Sequence, residues 1–437
     1  MARLTLFAFA IAAALQSPMA ALSAAQPPEH TMDPAQRSTP APPLEVLVAE
    51  ALARSPALAA ARAEVEARRA LESPSAALPD PTLAATLQNV GWSPSVGTEE
   101  MSMVGLVARQ GLPYPGKRAA ARAVAAAETS QTVADLAALE RRVVAEVSAG
   151  FAGIYALDRE REALGAAREL VELLGEIARS RYAAGQGDQE GVLKTQIQAL
   201  HLAERAGDLA AERHALVAEL NRWLDRPGDS ALGLVDALPA EDGLPALPAD
   251  AERLAVERSA DVARAKAAVQ VAEQRLAAAR LDLKPNFSAG AGLAARGGLD
   301  PVVLLDVGIE LPLWRRQKQL PRVTAAELEL EVTRHALADN QAMTRAEATH
   351  MLTNWKNADE QALRYREGIV PETSAALDAA RAAYLGGRGT FSTVIEDFNL
   401  WLEARVALAR READRFVARV EFERLTGAGV TRPGAEE

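Results

Sequence analysis

The side chains best suited to metal binding or proton transfer are five histidines: His30, His201, His214, His335 and His350. No two of them stand at His-x-x-x-His or His-Glu-x-x-His spacing, so no helix face presents a paired site. His350 adjoins Met351 and lies two helical turns after Met343, a set that could suit copper. On a long amphipathic helix the same residues read as surface and seam. Gly290-Ala291-Gly292 is a Gly-x-Gly, but it sits in an alternating, strand-like stretch, and neither a helix nor Lys-Ser/Thr follows, so it is not a phosphate loop. The sequence has no cysteine, which removes disulfides, thiolate metal sites, a cysteine nucleophile and a lipidated N-terminal cysteine. No Ser/His/Asp set is legible. The sequence therefore predicts no enzyme, no metal site and no cofactor, and it shows no energy-using site.

The most informative carboxylates are Asp306 and Glu310. In 302–313, Val303, Leu305, Val307, Ile309 and Leu311 point one way, and Val302, Leu304, Asp306, Gly308 and Glu310 point the other. In a transmembrane barrel that pattern means lipid outside and water inside, which places Asp306 and Glu310 at the lumen. Phe287, Ala289, Ala291 and Leu293 oppose Ser288, Gly290 and Gly292 in the same way; Leu83, Ala85 and Leu87 oppose Thr82, Thr86 and Gln88. The stretch 101–112 alternates less cleanly, and its faces cannot be assigned without its partner. Soluble β-hairpins packed on helices would fit the same alternation. Closure separates the two readings: four strands cannot form a barrel, whose smallest bacterial examples have about eight, whereas three chains would supply twelve.

These strands sit in a longer grammar that is written twice. Arg54-Ser55-Pro56-Ala57 corresponds to Arg258-Ser259-Ala260-Asp261, and Tyr182-Ala183-Ala184-Gly185-Gln186-Gly187 to Tyr384-Leu385-Gly386-Gly387-Arg388-Gly389. Asp80-Pro81 likewise meets Lys284-Pro285, and Gly111-Leu112-Pro113 meets Glu310-Leu311-Pro312, always about 200 residues apart. Each copy predicts a helix (44–77; 250–283), a pair of extended stretches about a loop (92–97; 296–301), a very long helix (117–184; 316–384), a Gly-rich turn and a return helix (188–224; 391–425). The long helices would each reach about 100 Å. The domain reading is a first repeat over 44–225, a Pro/Gly-rich join at 226–249, a second repeat over 250–426 and a disordered tail at 427–437.

Composition agrees. Apolar residues make up 49% of the chain but aromatics only 4%, so the apolar content is mostly Ala, Leu and Val, a helix-biased mix. A net charge of −11 argues against a nucleic-acid partner. At the N-terminus, Arg3 precedes the apolar run 4–15 and then Ser23-Ala24-Ala25, the order of a signal peptide over residues 1–25. Residues 26–43 are Pro-rich and are expected to be a disordered lead-in. No later stretch is long and apolar enough for a helical membrane span.

Three motifs then carry a resemblance. Leu78-Pro79-Asp80-Pro81 precedes the first hairpin, Gln110-Gly111-Leu112-Pro113-Tyr114-Pro115-Gly116-Lys117-Arg118 follows it, and Arg181-Tyr182-Ala183-Ala184-Gly185 marks the first helical turn. With the twice-repeated element order, over about 44–426, the chain resembles the TolC-like outer membrane factors, the exit ducts of Gram-negative efflux pumps and type I secretion systems. The first two motifs look most like the heavy-metal resistance branch. The resemblance implies a mainly helical fold with a small β part: a homotrimer with a twelve-stranded transmembrane β-barrel and a long helical tunnel in the periplasm. It implies outer-membrane lipid, a periplasmic adaptor and an inner-membrane pump of the RND type as partners. With no lipidated cysteine, the barrel alone would hold it. The Gly turns would be the rim that meets the adaptor, which assigns that role to Tyr182, Gly185, Gly187, Asp188, Tyr384, Gly387, Gly389 and Thr390. Under threefold symmetry Asp188, Glu190, Glu396 and Asp397 could form a cation-favouring ring. Two other readings stay open: a type I secretion exit for a protein substrate, and a periplasmic coiled-coil scaffold without a pore. The scaffold explains the helices but not the stretch 302–313.

Overall fold

The computed structural model describes residues 40–88, 101–240, 244 and 248–427. The expected signal peptide, most of the lead-in, the loop 92–97 and the tail beyond Gly427 lie outside the described residues. The chain runs α1 (Leu44–Arg54), α2 (Pro56–Ser75), β1 (Thr82–Gln88), β2 (Met103–Leu112), α3 (Lys117–Ala183) and α4 (Gln189–Trp223). It continues through α5 (Pro248–Arg258), α6 (Ala260–Leu281), β3 (Asn286–Arg296), β4 (Leu299–Glu310), α7 (Gln319–Arg364), α8 (Val370–Leu385) and α9 (Phe391–Thr426). Among the described residues no helix is long and apolar enough to cross a membrane.

The expected helices 44–77 and 250–283 are each broken in two, by different chemistry. In the first, Pro56 lacks an N–H and pushes Ser55 into an extended conformation (φ −52°, ψ 121°). In the second there is no proline; Ser259 is extended (φ −59°, ψ 132°) because its hydroxyl caps α6, accepting from the N–H groups of Asp261 and Val262 at 3.2 and 3.4 Å. The expected helix 316–384 is also interrupted. A π-helical turn, Tyr365–Ile369, separates α7 from α8. Pro371 follows at once and can neither donate to the ladder nor tolerate a carbonyl four residues back, so the wider turn relieves it. The stretch expected at 302–313 is strand only from Leu299 to Glu310. The loop expected at 296–301 shrinks to Gly297-Gly298, with Gly297 at φ 67° and Arg296 paired to Leu299. A register shift beside Pro301 fits a proline on an edge strand. Of the lead-in, Pro40 is ordered as a bridge to Leu234, where the Ala41 N–H donates to the Leu234 carbonyl at 2.8 Å.

The four strands form one antiparallel sheet in the order β1-β2-β3-β4. β2 and β3 are neighbours although the whole of α3 through α6 lies between them in sequence. β1 and β4 are left as open edges. The helices follow the same order. Packing runs α2–α3–α6–α7 near the sheet and α4–α3–α9–α8 towards the Gly turns. On α3, Glu128 lies 3.8 Å from Arg68 of α2 and 2.8 Å from Arg275 of α6. Farther along, buried Glu160 lies 2.7 Å from Arg205 of α4 and 2.9 Å from Arg410 of α9.

The join is pinned by a buried ion pair. Arg213 of α4 donates to both carboxylate oxygens of Asp158 on α3, at 2.7 and 3.1 Å, and to the carbonyls of Leu232 and Gly233. Asp158 also accepts the Val235 N–H at 3.0 Å. Leu232 and Val235 are thereby seated in the core with Leu47, Val147, Ile154 and Leu220. Asp158→Ala leaves Arg213 buried without its anion, which typically costs about 3–5 kcal/mol. The expected outcome is a lower denaturant midpoint together with faster proteolysis within 231–240. An unchanged midpoint would mean that the apolar anchors alone hold the join.

Candidate functional site

Two regions collect the residues that sequence patterning singles out: the sheet and the pair of Gly turns. The pairing register assigns both faces of every strand. Leu83, Ala85 and Leu87 of β1 lie opposite Ala108, Leu106 and Val104 of β2, which in turn oppose Ala291, Leu293 and Ala295 of β3. Ala291, Ala289 and Leu293 meet Leu305, Val307 and Val303 of β4. Apart from Gln110, opposite Ala289, this face is apolar from edge to edge and exposed: Leu305 is 79% and Val307 84% accessible. It settles the faces of β2: Val104, Leu106 and Ala108 share the side of Val307, and Met103, Gly105, Val107 and Arg109 share the side of Asp306. Isolated exposed leucines mean little, but a contiguous apolar face across four strands is built for an apolar surrounding.

The opposite face holds the polar and small residues together with Met103, Val107, Val302 and Leu304. Asp306 accepts from Arg109 Nε at 2.8 Å, although β3 lies between their strands. The residue in that row is Gly290, partner of both Arg109 and Asp306. A Cβ there would lie 2.2 Å from Asp306 Oδ1, so the pair exists because position 290 carries no side chain. Glu310 accepts from Asn286 Nδ2 at 3.0 Å. The Asp306 row was invisible in the sequence because Arg109 and Asp306 are brought together only by the β2–β3 pairing.

At the other end of the molecule, both Gly turns are Schellman motifs. The Gln186 and Gly185 N–H groups donate to the Arg181 and Tyr182 carbonyls at 2.9 and 3.0 Å. Those of Arg388 and Gly387 donate to Ala383 and Tyr384 at 2.9 and 3.1 Å. Gly185 (φ 68°) and Gly387 (φ 73°) occupy the left-handed region with open space about them. Gly187 and Gly389 are held differently: a Cβ would sit 3.1 Å from Arg181 Cβ and 3.2 Å from Ala383 Cβ. Asp188 and Thr390 are the N-cap residues of α4 and α9, and the Thr390 hydroxyl accepts the Thr393 N–H at 3.3 Å.

The two tyrosines of the repeat part company here. Tyr182 is exposed, whereas Tyr384 is buried, edge-on to Phe391 at 5.6 Å. Arg181 donates to the Tyr384 carbonyl and lies 4.8 Å above its ring, so the end of α3 clasps the end of α8. A groove of about 600 Å³ lies between these ends, lined by Leu173, Ile177, Arg181, Gln186, Leu385 and Gly387. Of the four carboxylates of the expected ring, Glu190 is bound by Lys194 at 2.7 Å, and that hydrogen bond and charge hold it below its ordinary pKa. Asp188 and Glu396 are exposed and Asp397 half-buried; none of the three makes an ion pair among the described residues. No three carboxylates or histidines among the described residues converge into a metal cluster.

The family model described as outer membrane efflux protein matches residues 47–222, the first of the two sets of elements. Among solved structures, the outer-membrane channel OprN shares the fold with a TM-score of 0.77 and 18% identity, over 88% of this chain and 90% of that one. VceC, an outer membrane protein of Vibrio cholerae, gives 0.75 and 18% over 88% and 96%. CusC, whose structures concern transmembrane channel formation, gives 0.75 and 16% over 88% and 92%. No curated protein matches the sequence. The fold, mainly helical with one small antiparallel sheet, is that of outer-membrane efflux channels.

The glycines of the Asp306 face make unequal demands. At Gly290 a methyl group meets chiefly the movable Asp306 carboxylate, and the ion pair it disturbs is exposed, so Gly290→Ala should cost under about 1 kcal/mol. At Gly292 it would lie 2.2 Å from the Leu106 carbonyl oxygen and 2.8 Å from Val107 Cα, so backbone must move and Gly292→Ala should cost about 1–3 kcal/mol. Thermal melting of the two variants compares them, and equal losses would show that β2 and β3 can shift apart freely.

Proposed function

We propose that the protein is a passive exit duct in the outer membrane, the outermost part of a tripartite efflux system. The observation that carries this reading is the sheet: one face exposed and apolar except for Gln110, the other carrying the strands' charged residues, with both edges open. Such a sheet is stable in lipid only when closed, and four strands are too few. Three copies joined β4 to β1 give twelve strands with no free edge, apolar outside, with Asp306, Arg109 and Glu310 in the lumen. The helices, in the same open order, would continue the wall as a tunnel about 100 Å long. Apolar side chains left uncovered on α4 (Leu193, Ile197, Leu200) and α7 (Leu328, Val332) support a neighbouring copy on each side.

Family membership, the internal duplication, export by an N-terminal signal and anchoring without lipid are part of the same reading. The match over 47–222 supports the first, the repeated element order the second, the apolar run after Arg3 the third and the lack of cysteine the fourth. Under it, the turn end projects into the periplasm and meets an adaptor fed by an inner-membrane pump. Tyr182, Gly185, Gly187, Asp188, Gly387, Gly389 and Thr390 lie at the rim there, with Tyr384 packed behind them. Asp188, Glu396 and Asp397 would supply the cation-favouring charge. For cargo we propose heavy-metal cations; the support is the proline motifs at 78–81 and 110–118. Substrate choice would then belong to the pump.

The mass of the detergent-extracted protein from outer membranes tests this directly: three protomers are expected, and one or two would overturn the duct. Face assignment is tested in the same preparation. Val307→Arg should cost about 2–4 kcal/mol of barrel stability if it lies near midplane, while Asp306→Asn should leave assembly intact. Equal assembly defects would overturn the face assignment. For the rim, Gly185→Val with Gly387→Val strains two left-handed positions by roughly 1 kcal/mol each without a clash. The trimer should persist, while metal resistance of cells and crosslinking to the adaptor are lost. Normal resistance with normal crosslinking would reduce these turns to helix caps.

A further inference from the structure

The turn between β4 and α7 holds a feature that the duct does not require. Residues 311–326 contain Arg315, Arg316, Lys318 and Arg322 and no Asp or Glu, in a chain of net charge −11. All four cations are exposed, and none makes an ion pair or side-chain hydrogen bond among the described residues. That is unusual for this molecule, whose arginines are mostly paired across or along helices. The corresponding cations after the first hairpin are engaged internally. Lys117 donates to the Lys284 carbonyl and to Asn286 Oδ1 at 3.0 and 2.9 Å, and Arg118 to the Ala76 carbonyl at 2.6 Å.

The position of the free cations is equally specific. The exposed row Val303, Leu305, Val307 and Ile309 ends with the strand at Glu310, and in the turn that follows, where the Leu313 N–H donates to the Leu311 carbonyl at 2.9 Å, Leu313 and Trp314 are 78% and 71% accessible. The turn is fixed by its own backbone. Gln317 and Lys318 N–H groups both donate to the Trp314 carbonyl, at 3.0 and 2.9 Å, and Leu320 donates to Arg315 at 2.9 Å. The order along the chain is thus apolar band, indole, then four unpaired cations, at the helical end of the sheet. Indole rings favour the level of the headgroups, and clustered Arg and Lys beside an apolar anchor attract anionic lipid.

We propose that residues 313–322 form a binding collar for anionic phospholipid, with Trp314 at the boundary of the acyl region and Arg315, Arg316, Lys318 and Arg322 on the headgroup phosphates. The proposal rests on the membrane-duct reading. An acidic protein partner would satisfy the charges, but would leave the exposed apolar pair Leu313 and Trp314, three residues beyond the strand, without a purpose.

The test uses the full-length protein reconstituted in phosphatidylcholine vesicles that contain a minor fraction of brominated phosphatidylglycerol or, in parallel, of brominated phosphatidylcholine. Emission of Trp314 is read as the difference between wild type and Trp314→Phe. Brominated phosphatidylglycerol should quench it about twofold more strongly, and high salt should remove the excess. The combined variant Arg315→Gln, Arg316→Gln, Lys318→Gln and Arg322→Gln should be quenched equally by both lipids. Equal quenching in the wild-type protein overturns the collar, as does an undiminished preference in the combined variant. Heat-modifiable gel migration of the same samples reports insertion. Inserted protein whose Trp314 is quenched by neither lipid overturns the collar alone, and protein that never inserts overturns the duct reading and the collar with it.

Discussion

A helix of 67 residues draws most of its stability from packing, and α3 is covered by other parts of the chain, most deeply from Val143 onward. The structure meets that demand with pairs of shorter helices laid along it, α2 and α6 near the sheet, α4 and α9 near the turns. Charge fixes the arrangement at both levels. Glu128 and Glu160 each stand between two arginines contributed by the flanking helices. The exposed cluster at Glu128 contributes little stability, but Glu160 is buried, and a misplaced neighbour would leave its charge unpaired. α1, α2, α4, α6 and α9 pack directly on α3, while α5, α7 and α8 are placed through α6 and α9, and the sheet order matches the order α2–α3–α6–α7.

The sheet carries that order into a different solvent problem. Because side chains alternate, a slip of one residue in any pair would send the apolar set to the polar face. Register is held by close packing on the Asp306 side, where Gly105, Gly290, Gly292 and Gly308 leave no room for a methyl group unless a neighbour moves. The Arg109–Asp306 pair spans β3 only because Gly290 is bare. Helical wall and sheet therefore share one property: each is an ordered row with two unfinished sides.

The two halves reach the same architecture through different residues. Pro56 bends one helix pair where the Ser259 cap bends the other. Tyr182 is exposed, while Tyr384 is buried under Arg181, so the first turn grips the second. Only the second long helix carries a π-turn, at Tyr365–Ile369, and there Arg366 reaches Glu412, which also accepts from the Tyr155 hydroxyl at 2.6 Å. Burial, and then that hydrogen bond, hold the Tyr155 hydroxyl protonated well above the ordinary tyrosine range.

The sequence by itself determined the local periods. Alternation in β4, proline stops after α2 and after both hairpins, and glycines at the two reversals were legible because each depends on neighbours a few residues away. The lack of cysteine, of paired-histidine spacing and of a phosphate-loop motif was legible too, since each is a matter of type and spacing. The tertiary structure decided what depends on distant partners. The faces of β2 followed from its pairing with β3, across more than 170 residues of chain. Asp158 looked like any helix carboxylate until Arg213 and the Val235 N–H closed on it. Periodicity encodes which side of an element is apolar, but the partner of a charge is set by packing between elements, and no local pattern records it.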